Sequence, residues 1–268
     1  MSLKKVLIVN KSYPVVGFGV LLSGSKQNIL QYLDYEPESL PEIKKNIEGC
    51  DALIWNTKHQ LTPEILDLAG PQLKAVSSMS SGLDHIRVEE LKKRGIALGN
   101  CPHVLDNAVA DIAVGLLIGA ARKFKAGIRE LESGQWKYGV QWSTGLDIAG
   151  STVGIIGLGG IGQAIVRRLK GFDVARFLYS GRSDKPQGLI DQNALYDALK
   201  GNHIFAAGLD VVTPEPLPKD HPLISLPNCF ILPHLGSATI ETRNAMASIA
   251  ANNILLALEG KSMLFPAY

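Results

Sequence analysis

Two stretches of this chain hold residue types whose spacing can do chemistry. The first is Gly157-Leu158-Gly159-Gly160-Ile161-Gly162, set between the strand-like run Val153–Ile156 and an amphipathic stretch reaching Leu169. In the order strand, turn, helix, this G-x-G-x-x-G arrangement can hold a dinucleotide. Gly157 permits a tight turn, Gly159 lets the backbone approach a pyrophosphate, and Gly162 lets the helix sit close to the strand, so that the free N–H groups at the helix start face the phosphates. Without those flanks the same letters describe only a tightly packed turn. The second stretch, Ala206–Thr239, carries Glu215 and His234. Reducing a carbonyl by hydride transfer needs a proton for the developing alkoxide, which a histidine beside a carboxylate can supply. Both residues follow strand-like runs, where functional groups gather at the carboxyl edge of a parallel sheet. The other histidines, His59, His85, His103, His203 and His221, read as structural or exposed.

The cofactor's identity turns on the end of the second strand of such a unit. An NAD site presents an acid there to the ribose hydroxyls. Here the strand Arg176–Tyr179 runs into Ser180-Gly181-Arg182-Ser183, and no acid appears before Asp184. Arg182, twenty residues beyond Gly162, is placed to pair with a 2′-phosphate. NADPH is therefore favoured, with NAD possible and Ser180 and Arg182 as candidate contacts; the plainer reading of Arg182 is an exposed loop arginine.

These groups need a scaffold. Apolar runs suited to buried parallel strands recur at Val6–Val9, Ala52–Trp55, Leu73–Ser78 and Ile96–Asn100, with helix-like stretches at Pro41–Gly49 and Thr62–Gly70. The alternation predicts parallel sheets with helices on their faces. A long apolar helix over Asn107–Ala121 leads into a second block, and a closing helix over Ile240–Leu258 returns to the first. The expected division is a discontinuous substrate domain, residues 1–102 with 239–268, and a Rossmann domain over 103–238.

Composition narrows the partners. Of the 268 residues 46% are apolar, enough for two ordinary cores, and 27 basic against 25 acidic residues form no concentrated patch for nucleic acid or a membrane surface. Cys50, Cys101 and Cys229 are too separated for a disulfide framework or a paired-cysteine metal site and fit a reducing compartment. The opening apolar run is too short for a signal peptide, no segment nears the roughly 18 apolar residues of a membrane span, and the last residues form no retention or peroxisomal tag. A cytoplasmic protein with a small-molecule partner and no metal is expected.

Together, Gly157–Gly162, Gly208-Leu209-Asp210-Val211, Glu215-Pro216 and Pro233-His234-Leu235-Gly236-Ser237-Ala238-Thr239 resemble the D-2-hydroxyacid dehydrogenase family, and within it the reductases of glyoxylate and hydroxypyruvate. The similarity covers nearly the whole chain, including Met79-Ser80-Ser81-Gly82-Leu83-Asp84-His85 and Ala110-Asp111. It implies two Rossmann/flavodoxin-like parallel-sheet domains, a 2-keto acid substrate reduced with NADPH, and a homodimer. By the resemblance His234 is the general acid/base and Glu215 its carboxylate partner. Asp210 would bond the nicotinamide carboxamide, Gly236 would line the cofactor site, and the backbone around Ser80, Ser81 and Gly82 would receive the substrate carboxylate. Trp136 and Trp142 fall in a region that shapes the pocket of relatives, and neither is assigned a role.

One part of the pattern is missing. The family has a catalytic arginine in a Ser-Arg-Gly-like turn just before a segment resembling Leu189–Leu199, and here Gln187-Gly188 occupy that place. Only Ser183–Gly188 separate the second cofactor strand from a helix starting near Asp191, where one further βα unit takes about 30 residues. The cofactor domain is expected to be truncated by an internal block. The alternative to a working reductase is a catalytically silent chain that binds cofactor or pairs with another subunit.

Overall fold

The apolar runs of the N-terminal part become strands β1 (Lys4–Val9), β3 (Ala52–Trp55), β4 (Ala75–Ser78) and β5 (Ala97–Gly99). They join β2 (Asn28–Leu33), whose apolar run is interrupted by Gln31, in one parallel sheet of order β2-β1-β3-β4-β5. That is the flavodoxin-type order. The computed structural model describes residues 4–9, 40–57, 59–136, 139, 143–180 and 190–268, together with the backbone of 28–33. Contacts divide the chain into two units, Met1–Leu105 with Ala238–Tyr268, and Asp106–Ser237.

In the first unit, helices α1 (Leu40–Asn46), α2 (Pro63–Ala69) and α3 (Val88–Lys93) link the strands. The ends of α2 follow from its sequence: the Thr62 side chain accepts the Ile65 N–H, Pro63 takes the first turn where no N–H is needed, and Gly70 closes the helix with φ 96°. The C-terminal helix, Ile240–Leu258, packs against β3, β4 and β5. Strands β3 and β4 are buried at every residue, as sheets covered on both faces require. Leu7, Ile43, Leu53, Trp55, Ile65 and Leu91 are among the fully enclosed side chains of the core. Cys50 and Cys101 are free and buried, and burial pushes their thiols up to about 11 and about 12.

The second unit is built differently. Helix α4 (Asp106–Ala121) is followed by the short amphipathic α5 (Phe124–Glu132), then β6 (Thr152–Ile156), α6 (Gly160–Leu169), β7 (Arg176–Ser180), α7 (Gln192–Lys200), β8 (Ala207–Leu209) and β9 (Cys229–Ile231). Arg168 of α6 bonds the Asp111 carboxylate and the Asn107 side chain, tying α6 to α4. Among the described residues its strands form two separate parallel pairs, β6-β7 and β8-β9. Apolar parallel strands normally lie covered on both sides. Here Ile156 is 72% exposed, Leu178 52% and Tyr179 69%. The sequence shows strand-like runs at these positions, and among the described residues β6 and β7 pair only with each other, whereas helix α4 packs on both β8 and β9.

Candidate active site

The glycine turn lies between β6 and α6, in the strand-turn-helix order that phosphate binding requires. Gly157 has φ 90°, a conformation side chains resist. A Cβ at Gly162 would overlap the Gly157 carbonyl oxygen and press on Ile155, so only glycine lets α6 start this close to β6. At Gly159 the reverse holds: an added Cβ would meet nothing within 4 Å, leaving open space over the backbone at the head of α6. With Leu158, Gly160 and Ile161 this forms the helix-head turn that a pyrophosphate needs, although the Asp106 carboxylate packs against Gly160 and would have to turn away from a bound phosphate. Ser180 closes β7, exposed; Arg182, the candidate phosphate partner, lies outside the described residues.

Beyond β8 and β9 the candidate acid and base meet. His234 Nδ1 lies 2.8 Å from Glu215 Oε2, and Glu215 Oε1 accepts the Val212 N–H at 3.0 Å. With Nδ1–H donating to the carboxylate, Nε2 is the ring atom left to exchange a proton. The imidazole side chain is 57% exposed, so its outer edge is accessible. His234 has φ 56°, an uncommon conformation for a residue with a side chain. Asp210 holds it there. Its carbonyl accepts the His234 N–H at 2.9 Å, and its carboxylate accepts the N–H groups of Leu235 (2.7 Å) and Gly236 (2.8 Å). A Cβ on Gly236 would lie 2.9 Å from Asp210 Oδ2, so glycine permits the approach. Gln192, at the start of α7, grips both the N–H and the carbonyl of Thr213, two residues before Glu215.

In the first unit, the loop after β4 has all three of its carbonyls engaged. Ser80 O accepts the Cys101 N–H (3.0 Å), Ser81 O accepts Asn100 Nδ2 (2.8 Å), and Gly82 O accepts the Ser80 hydroxyl (2.6 Å). The N–H groups of Ser81 and Gly82 donate to no group among the described residues. One residue beyond β3, the neighbouring strand, Asn56 Nδ2 is shielded from solvent and also donates to none of them. A loop edge with spent acceptors and spare donors suits an anion.

The structure thus brings together Glu215, His234, Asp210 and Gly236, and separately Gly157–Gly162; Ser80, Ser81 and Gly82 sit in the other unit. Sequence reading finds the roles of Gly157 and Gly162 directly. It misses the clamp of Asp210 on the turn after His234, the grip of Gln192, and the contact of His85 with Ser78, because each joins residues whose proximity only the fold creates. Trp136 is exposed in the second unit, and Trp142 lies outside the described residues.

Parallel α/β units with a dinucleotide-type turn mark an architecture of the Rossmann kind, which does not by itself fix a function. Residues 21–267 match the family of D-isomer specific 2-hydroxyacid dehydrogenases, catalytic domain. The chain is 37% identical to the glyoxylate reductase/hydroxypyruvate reductase of Homo sapiens over 314 residues, covering 96% of each. It is 32% identical to a glyoxylate reductase of Thermofilum pendens, covering 84% of this chain and 83% of that protein. Among solved structures it resembles the TT0316 protein of Thermus thermophilus (TM-score 0.86, 31% identity, 98% of this chain and 100% of that one). It also resembles an NADPH-dependent glyoxylate/hydroxypyruvate reductase of Sinorhizobium meliloti, solved with NADP and malonate (TM-score 0.80, 25% identity, 99% and 97%). The chain belongs to the D-isomer specific 2-hydroxyacid dehydrogenase family, NAD(P)-dependent oxidoreductases of small 2-hydroxy and 2-keto acids. Among the described residues no helix is long and apolar enough to cross a membrane.

Proposed function

We propose that the protein reduces glyoxylate and hydroxypyruvate to glycolate and D-glycerate, with NADPH as the preferred reductant. The reading rests on one observation above the others: the 2.8 Å contact of His234 with Glu215 beside the Asp210 clamp, in the unit that also carries the glycine cradle. Bound nicotinamide supplies a hydride to the keto carbon. His234 Nε2 gives the proton to the developing alkoxide while Glu215 holds Nδ1 and so orients the ring. Asp210 keeps a free lone pair on each oxygen for the nicotinamide carboxamide, and Gly236 lines that side. The Ser81 and Gly82 N–H groups, on the loop led by Ser80, take the substrate carboxylate, and Arg182 and Ser180 take the ribose end. On this reading residues 1–102 and 239–268 hold the substrate and residues 103–238 the cofactor, close to the two contact units Met1–Leu105 with Ala238–Tyr268 and Asp106–Ser237. The cell compartment proposed is the cytoplasm.

We also propose that the cofactor unit lacks an internal block. An alignment of 314 residues with the human relative exceeds the 268 residues here, so at least 46 of its positions face no residue of this chain. The open faces of β6 and β7 support the same view, as does the absent arginine before Leu189. The protein is further proposed to act as a homodimer.

The test is NADPH oxidation with either keto acid by purified, folded protein. Turnover that is abolished in His234→Ala is the expected result. NADPH binding with no turnover by the wild type would instead leave a silent cofactor-binding chain.

A further inference from the structure

We infer that Ser78, Ser80 and His85 form a one-way hydrogen-bond relay that holds the Ser80–Gly82 loop as an anion receiver, making His85 a positioning residue for substrate affinity. The inference rests on the proposed role of that loop in receiving a carboxylate. Ser80 Oγ lies 2.6 Å from the Gly82 carbonyl, which can only accept, so the single hydroxyl proton of Ser80 is spent there. Ser78 Oγ lies 2.6 Å from Ser80 Oγ and must therefore be the donor in that bond. Its own proton being spent, Ser78 can meet His85 Nε2, at 3.2 Å, only as an acceptor. The Ser80 N–H, at 3.3 Å, fills the second lone pair of Ser78. Each step follows from the one before, and the wire runs from His85 Nε2–H through Ser78 and Ser80 to Gly82 O.

Two consequences follow. The ring of His85 is fixed as the Nε2–H tautomer, and burial pushes its protonation down against the opposing charge of Asp84, so the neutral form is favoured. The Gly82 carbonyl spends one lone pair on the Ser80 hydroxyl, which fixes its direction, while the N–H groups of Ser81 and Gly82 stay uncommitted among the described residues. The backbone of His85 is itself fixed, because its carbonyl accepts the Leu61 N–H at 2.9 Å. A neutral donor at this position can thus set the affinity of the loop for a carboxylate without touching the ligand.

Two measurements on the full chain test this. Nitrogen-15 NMR of the histidine rings at neutral pH reads the tautomer directly, and an Nδ1–H ring at His85 overturns the relay without any variant. Calorimetric titration with oxamate, an unreactive 2-oxo carboxylate, reads the loop. His85→Leu is expected to weaken oxamate about tenfold, the scale of one lost hydrogen bond, while His85→Gln, which keeps an N–H donor at similar reach, stays within about threefold of the wild type. Equal binding by the wild type and His85→Leu refutes the relay alone. Absence of oxamate binding by the wild type refutes the carboxylate-receiving loop and, with it, the relay's function.

Discussion

His234 occupies a backbone conformation that costs a side-chain-bearing residue on the order of 1 kcal/mol, and such strain persists only where neighbours fix it. Asp210 is that neighbour, through three hydrogen bonds to His234, Leu235 and Gly236. Asp210→Ala leaves the Leu235 and Gly236 donors unpaired, the latter at a buried residue, a loss of about 1–3 kcal/mol. Under the proposed function the turn then relaxes and His234 drifts from Glu215. Steady-state kinetics should show kcat/KM falling about 10- to 100-fold in Asp210→Ala, the same free energy read as rate, with Asp210→Asn in between because its amide oxygen retains one bond. An effect confined to the KM for NADPH would leave Asp210 as a cofactor contact without a positioning role. The residue pattern displays Gly157 and Gly162, whose duties are local to one strand and one helix. It cannot display Asp210 reaching a turn 25 residues away, which depends on β8 and β9 becoming neighbours, nor His85 reaching back to Ser78, which depends on the path of the loop between them.

At the scale of elements, α5 is turned the opposite way from an ordinary surface helix. Its basic side chains face inward to its own unit: Lys125 donates to the carbonyls of Ile224 and Cys229, and Arg129 to those of Ile224 and Ser225. Phe124, Ile128 and Leu131, spaced as one helical stripe, are 47%, 48% and 62% exposed, and Trp136 follows at 67%. A stripe of this kind is a mark of an interface, and the proposed homodimer gives it an occupant. Ile128→Lys combined with Leu131→Glu should shift sedimentation from dimer to monomer with the melting of the isolated subunit little changed, since neither side chain is buried in it. A variant that sediments as the wild type does would place the dimer contact elsewhere or remove it. Strands β1, β3, β4 and β5 and helices α1 and α2 of the first unit are readable because propensity, caps and apolar runs agree, as at Thr62, Pro63 and Gly70, whereas β2 and α3 are missed. Helix α5 escapes that reading, because its apolar face does not point to a core.

At the scale of the whole molecule the two units differ in how well their sheets are closed. The first buries β3 and β4 completely, while β6 of the second alternates between exposed and half-covered residues and β7 is exposed at all but Phe177. The sequence shows β6 and β7 as strand-like runs, and nothing local to them reveals how far they are covered; the proposal of a lost block rests on the shortness of the Ser183–Gly188 connection. Uncovered apolar strands bind hydrophobic dyes and weaken cooperative melting. Inserting, between Ser183 and Gly188, the human relative's block that faces no residue of this chain supplies the missing cover at about 25 cal/mol per Å² of apolar surface enclosed. Calorimetry should then show the transition of the second unit sharpen and rise by several degrees, while that of the first stays in place, and 8-anilinonaphthalene sulfonate fluorescence should fall. Unchanged dye binding and an unchanged second transition would mean that the open faces are not the trace of a lost block.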